Sequence, residues 1–151
     1  MAEMAISTAR VVRLFGFDPK VAFVSHSTFG QPLTNRTKHI KKAVDILKDK
    51  KVDFKFDGDM QPDVALNPEY KDLYPFSKIV GKANILIMPG QHSAAISYKM
   101  MKTLGDTKVI GPLLIGLGLP IEIAPLRSST SELINLASIA AYSADVIDYK
   151  K

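Results

Sequence analysis

The sequence predicts an α/β layered fold with a largely parallel sheet. Two kinds of segment alternate along it. Short apolar runs such as "KVAFVS" (20–25) and "ANILIMPG" (83–90) are separated by longer stretches with apolar residues at helical spacing. Strands apolar on both faces, joined through helices, belong in a sheet that is covered on both sides. The length of 151 residues suits one domain, so residues 1–151 are read as a single unit.

Each element follows from its own pattern. Residues 3–15 place Met4, Thr8, Val11, Val12 and Phe15 at helical spacing, with Gly16 positioned to end the helix. "KVAFVS" is a buried strand, and the polar turn "HSTFGQPLTN" leads out of it. "KHIKKAVDILKDKK" (38–51) is a helix whose stripe of Ile40, Ala43, Val44 and Leu47 faces the core, with lysines opposite. "VDFKFDGD" alternates Val52, Phe54 and Phe56 with polar residues, a strand ending at Gly58. "QPDVALNPEYKDLYPFSK" holds two short helical turns divided by prolines. "ANILIMPG" is the second apolar strand and opens into a helix that ends at Gly105. "KVIGPLLIGL" and "PIEIAPL" read as extended segments turning at Gly118 and Pro120. The last helix is announced by Ser129 and Glu132, which fit a capping box. Leu133, Leu136, Ala137, Ala140, Ala141 and Ala144 give it an apolar face.

Composition excludes several function classes. There are no cysteines, hence no disulfides, thiolate zinc sites or cysteine nucleophiles. Hydrophobic residues make up 46% and charged residues 23%, the balance of a soluble globular protein, and no apolar run reaches membrane-span length. Without a signal-peptide pattern the expected location is the cytoplasm. The net charge of +5 invites a nucleic-acid reading. However, the lysines lie on one helix face without interleaved aromatics, so a solvated face is the better reading and no nucleic-acid partner is expected.

In parallel α/β folds, ligands bind beyond the carboxyl ends of the strands. Three loops qualify. "SHSTFG" offers Ser25, His26, Ser27 and Thr28, with Gly30 allowing close backbone approach. "MPGQHS" brings Gly90 beside Gln91, His92 and Ser93. "APLRSSTSEL" sets Arg127 and Ser128 at the entrance of the last helix, where free amide groups favour an anion. Each loop has a plainer explanation, since small polar residues at such places often only cap. The histidines at 26, 39 and 92 have no metal-ligand spacing. Asp57, Asp59 and Asp63 do not follow a calcium-loop pattern, so no metal site is expected.

Five blocks carry a resemblance over nearly the whole chain: "VAFVSHSTFG", "VDFKFDGDMQPDVALNPE", "YPFSKIVGKANILIMPGQHSAAISYKMMKTLG", "VIGPLLIGLGLPIEIAP" and "ELINLASIAAY". Together they resemble the C-terminal half of the phosphate acetyltransferase and butyryltransferase family. "SHSTFG", "YPFSKIVG", "MPGQHSA" and "IGPLLIGL" look more narrowly like the variant fused behind the catalytic part of bacterial NADP-dependent malic enzymes. The resemblance implies a three-layer α/β/α sandwich of the isocitrate/isopropylmalate dehydrogenase-like type, assembled as a homo-oligomer (a dimer or higher). It also implies that the chain is one portion of a longer protein, with the malic enzyme catalytic domain absent.

Members that move acetyl between coenzyme A and phosphate carry a serine, an arginine and an aspartate around the turn before the last helix. Aligned on "ELINLA", these positions hold Pro125, Leu126 and Glu132. Proline has no hydroxyl and leucine no charge, so no catalytic residue is assigned; Arg127, one position later, re-aims its guanidinium. The resemblance therefore implies a regulatory and oligomerisation region with acetyl-CoA or a related CoA ester as effector. NADP and a divalent metal are implied only for the missing catalytic domain. Ser25, Ser27, Asn84, Arg127 and Ser128 are the expected ligand contacts, Asn84 by its place in the family-like "GKANILIMPG" block. Two alternatives stand beside this reading: an active phosphate acetyltransferase, and a pure dimerisation module.

Overall fold

The computed structural model describes residues 1–105 and 108–146. The chain forms two compact units, Met1–Ser97 and Tyr98–Lys151.

The first unit is a mixed α/β layer structure. Its elements are α1 (Ala2–Leu14), β1 (Lys20–Val24), α2 (Asn35–Asp49), β2 (Lys55–Met60), α3 (Pro62–Leu66), a 3-10 turn (Pro68–Asp72) and β3 (Ile85–Ile87). The three strands form a parallel sheet in the order β2-β1-β3, with Val21 opposite both Phe56 and Ile85. Because side chains alternate along a strand, β1 serves two cores. Val21 and Phe23 join Ile85, Ile87 and the inner faces of α1 and α2. Ala22 and Val24 join Met60, Val64, Ala65, Ile79 and Val80 on the other side. The unbroken apolar run from Val21 to Val24 is thus explained by cover on both faces.

The stripe predicted for α2 is the buried one: Ile40, Ala43, Val44 and Leu47 all lie in the core. Its first turn is closed by Thr34, whose side chain accepts from the Thr37 amide at 3.3 Å while Thr37 Oγ1 accepts from the Thr34 amide at 2.8 Å. Helix α1 forms where predicted but turns a different face inward. Ala2, Ala5 and Ala9 are its buried residues, whereas Met4 is 56% exposed and Phe15 lies outside. Methyl side chains let the helix axis approach the sheet closely, and the larger residues of the predicted stripe flank that contact.

Strand β2 starts later than predicted and runs through Gly58 to Met60. Its pairing with β1 slips between Phe23 and Val24. Gly58, at φ +149°, sits where a Cβ would come 2.7 Å from the Phe23 carbonyl oxygen. Only glycine combines that backbone angle with so close an approach. The slip turns Asp59 into the interior, where it is 4% exposed.

The second unit contains the C-terminal part of α4 (Gln91–Leu104) and all of α5 (Thr130–Val146). Residues 108–125 take no place in the sheet. The capping box is present: Ser129 Oγ accepts from the Glu132 amide at 3.2 Å, and Glu132 Oε2 accepts from the Ser129 amide at 2.8 Å. The predicted apolar face of α5 is not buried as a stripe, since Leu136 is its one buried residue.

Candidate functional site

In the first unit, the loops after β1 and β3 leave the same edge of the sheet, because those strands are parallel neighbours. The loop after β1 is held from beneath by residues 59–61, the end of β2 and its exit. The Ser25 amide donates to the Met60 carbonyl at 2.9 Å, and the Phe29 amide to the Asp59 carbonyl at 2.6 Å. The Gln61 amide donates to Thr28 Oγ1 at 3.2 Å, and Gln61 Nε2 donates to the His26 carbonyl at 2.9 Å. Thr28–Gln31 closes a tight turn whose central residues, Phe29 and Gly30, both have positive φ (+50° and +81°). Positive φ at both centres suits Gly30, while Phe29 is held there by its bond to Asp59 and by ring contacts with Tyr74 and Phe76, centroids 5.3 and 4.8 Å away.

The Asp59 carboxylate is the hub of this loop. One oxygen accepts from the Gly30 amide at 3.1 Å and the other from the Ser27 hydroxyl. Ser27 Oγ lies 3.3 Å from Ser25 Oγ, which in turn lies 3.4 Å from His26 Nδ1. Ser25 is half-buried and His26 exposed, whereas Ser27 is fully buried. The Ser27 hydroxyl is given to Asp59, so this side chain supports the loop from within. After β3, Ser93 Oγ donates to the Gly90 carbonyl at 2.8 Å, and Gln91 and His92 are exposed.

Asn84 does not share this edge. Its carboxamide oxygen accepts from the Lys20 amide and its nitrogen donates to the Asp18 carbonyl, both at 2.8 Å. It thereby ties the start of β3 to the start of β1, the opposite end of the sheet from the loops. The three aspartates also part company: Asp57 Oδ1 accepts from the Gly58 amide at 2.9 Å, and Asp63 hydrogen-bonds Tyr70, holding that phenol above its ordinary pKa. Among the described residues no three histidine, aspartate or glutamate side chains gather as a metal site would require.

The turn before α5 stands in the second unit. Ser128 folds back on Pro125, its amide donating to the Pro125 carbonyl at 3.0 Å and its hydroxyl at 2.8 Å. Leu126 and Arg127 are exposed. Glu132 is engaged on two sides: Lys102 Nζ lies 2.7 Å from Oε1, and the Ser129 amide and hydroxyl hold Oε2. The Lys102 hydrogen bond, with the Ser129 bonds behind it, holds its carboxyl down at about 2. Pro125, Ser128, Glu132 and Leu136 line a hollow of about 10 Å³, on the order of a single water.

Comparison with known proteins decides the family. The model of the phosphate acetyl/butaryl transferase family matches residues 1–141. The chain belongs to that family. Two solved members share its fold: the EutD phosphotransacetylase from Staphylococcus aureus (TM-score 0.86, 32% identity) and a phosphotransacetylase from Streptococcus pyogenes (TM-score 0.90, 34% identity), each over 95% of this chain. Among curated family relatives, the NADP-dependent malic enzyme of Rhizobium meliloti is 46% identical and the phosphate acetyltransferase of Bacillus subtilis 34% identical, each over 95% of this chain. The chain spans 19% of that malic enzyme and 45% of that acetyltransferase.

Pro125, Leu126 and Glu132 stand where the resemblance implies serine, arginine and aspartate. The one acidic group of the three is held by a lysine and a helix cap.

Two features escaped the sequence reading. Asp59 belonged to an acidic cluster with no sign that it points inward, because the slip at Phe23/Val24 that turns it is a tertiary effect. Lys102 carried no signal at all, since its partner lies 30 residues away.

Proposed function

We propose that this chain is a non-catalytic regulatory and assembly region of an NADP-dependent malic enzyme, with acetyl-CoA or a related CoA ester as its effector. One observation carries the reading. At the turn before α5, the chain has Pro125 and Leu126 where the resemblance implies a serine and an arginine, and Glu132 is tied to Lys102 and Ser129. A proton acceptor held at about 2 by a cation is a poor base for a thiol at neutral pH. The exposed Arg127 supplies the anion contact. The finer architecture, a three-layer sandwich of the isocitrate dehydrogenase-like type, goes with this proposal, as do a homo-oligomer, the absence of nucleic-acid and membrane partners, and a cytoplasmic setting. No helix among the described residues is long and apolar enough to cross a membrane.

Calorimetric titration of acetyl-CoA into the full-length parent tests the reading, with free coenzyme A and acetyl phosphate as comparisons. Saturable acetyl-CoA binding that weakens on Arg127→Ala, with malate oxidation altered by the ligand, is the expected result. An effector must favour one state of the assembly to regulate it. Steady formation of acetyl-CoA from acetyl phosphate and coenzyme A would overturn the reading in favour of a transferase. An assembly-only role is the second reading, favoured by the exposed apolar side chains of the second unit; unaltered malate kinetics at saturating acetyl-CoA would select it.

A further inference from the structure

The loop after β1 contains a chain of hydroxyl groups whose direction can be worked out. Ser27 has one hydroxyl hydrogen and donates it to Asp59. In its 3.3 Å contact with Ser25, Ser27 can then only accept, so Ser25 is the donor. Ser25 also has one hydrogen, so its 3.4 Å contact with His26 Nδ1 requires that Nδ1 carry the proton. A neutral imidazole protonated at Nδ1 has a lone pair at Nε2.

We infer that Asp59, acting through Ser27, fixes the hydrogen-bond polarity of this loop. With every hydrogen of the relay directed inward, Ser25 and His26 present acceptors to the surface. Such a loop takes a hydrogen-bond donor from its ligand, an amide N–H or a hydroxyl, and not an anionic group. Asp59 is a positioning residue here: it is buried and acts only through Ser27 and Gly30. The ligand part of the inference rests on the proposed effector reading and divides that effector's chemistry, assigning this loop to the uncharged amide and hydroxyl portion. The phosphates are left to other contacts.

The test is the tautomer of His26, read from ¹⁵N shifts of the full chain in mildly alkaline buffer. The expected result is Nδ1–H. In Asp59→Asn, the Gly30 amide keeps its oxygen acceptor, so the new NH₂ faces Ser27. Ser27 then accepts from it, the relay reverses, and His26 becomes Nε2–H. Ser27→Ala is the second variant: it cuts the relay with little change of volume and also frees His26 from the Nδ1–H form. An Nε2–H tautomer in the unaltered chain, or an Nδ1–H tautomer that survives both variants, overturns the inference.

The ligand part is tested by titrating pantetheine, which carries amide and hydroxyl donors without phosphate, against inorganic phosphate. Pantetheine should move the Ser25 and His26 resonances and phosphate should not. Equal or larger shifts with phosphate overturn the donor assignment. If neither moves them while the tautomer results hold, the polarity stands and the role of this loop in effector binding falls.

Discussion

Glu132 shows how two neighbours can hold a carboxyl group in its charged form. Its pKa in the folded chain is about 2, below the ordinary 4.5, chiefly through the Lys102 hydrogen bond and then the Ser129 bonds. A depressed carboxylate pKa contributes stability that is complete above the ordinary value and is lost as pH falls through the folded value. The cross-link between α4 and α5 should therefore loosen between pH 4.5 and about 2, and NMR titration of the Glu132 carboxyl carbon follows it directly. Replacing Lys102 by Met should raise the midpoint while leaving it below 4.5, because the Ser129 amide still donates. A midpoint that does not move would show that the cap alone sets it. At Gly58 the constraint is steric. Gly58→Ala places a Cβ 2.7 Å from the Phe23 carbonyl oxygen at φ +149°, and both penalties act together. The expected cost is about 3 kcal/mol, measured by denaturant unfolding. The loop over Asp59 should lose amide protection first.

At the scale of elements, α1 and α2 show what sequence periodicity can and cannot specify. In α2, lysines fill the solvent face and the apolar residues leave one possible buried stripe, so the prediction and the structure coincide. In α1, apolar residues occur on two adjacent faces, and size decides between them. The sheet accepts Ala2, Ala5 and Ala9 because their methyl groups permit close packing, leaving Met4 outside. Ala5→Leu is thus expected to cost about 1–3 kcal/mol by overpacking. Met4→Ser should change stability by no more than about 0.5 kcal/mol, as surface substitutions do. Thermal melts of the two variants distinguish the faces, and the predicted stripe would be restored if the order of effects were reversed. Strand β1 was legible because Val21–Val24 are apolar without a break. The Asp59 hub was not, because its inward turn comes from the pairing slip with β1 and from the space that only Gly58 leaves. Likewise, the turn at Pro125–Ser128 could be located from its sequence, but the lysine that engages Glu132 could not.

Over the whole chain the two units differ in how they treat apolar side chains. In the first, Phe23, Ile40, Leu47, Met60 and Ile79 are almost wholly buried, and two cores flank one sheet. In the second, Met101, Leu104, Leu119, Ile123, Leu126 and Ile134 are exposed, and α5 buries only Leu136. Removing apolar surface from water contributes about 25 cal/mol per Å², so helices that bury little depend on hydrogen bonds such as the Ser129 cap and the cross-helix Lys102–Glu132 pair. A helix that buries so little is marginal in water. Amide hydrogen exchange of the 151-residue chain should therefore show strong protection in β1, α2 and β3, and protection lower by orders of magnitude in α5. A dye that fluoresces on apolar surfaces should bind in proportion. If α5 proves as protected as α2 in dilute monomeric chain, burial does not control its stability and the contrast between the units loses its energetic meaning. If protection of α5 instead rises with chain concentration, copies of the chain are covering its apolar side chains, as an assembly role requires.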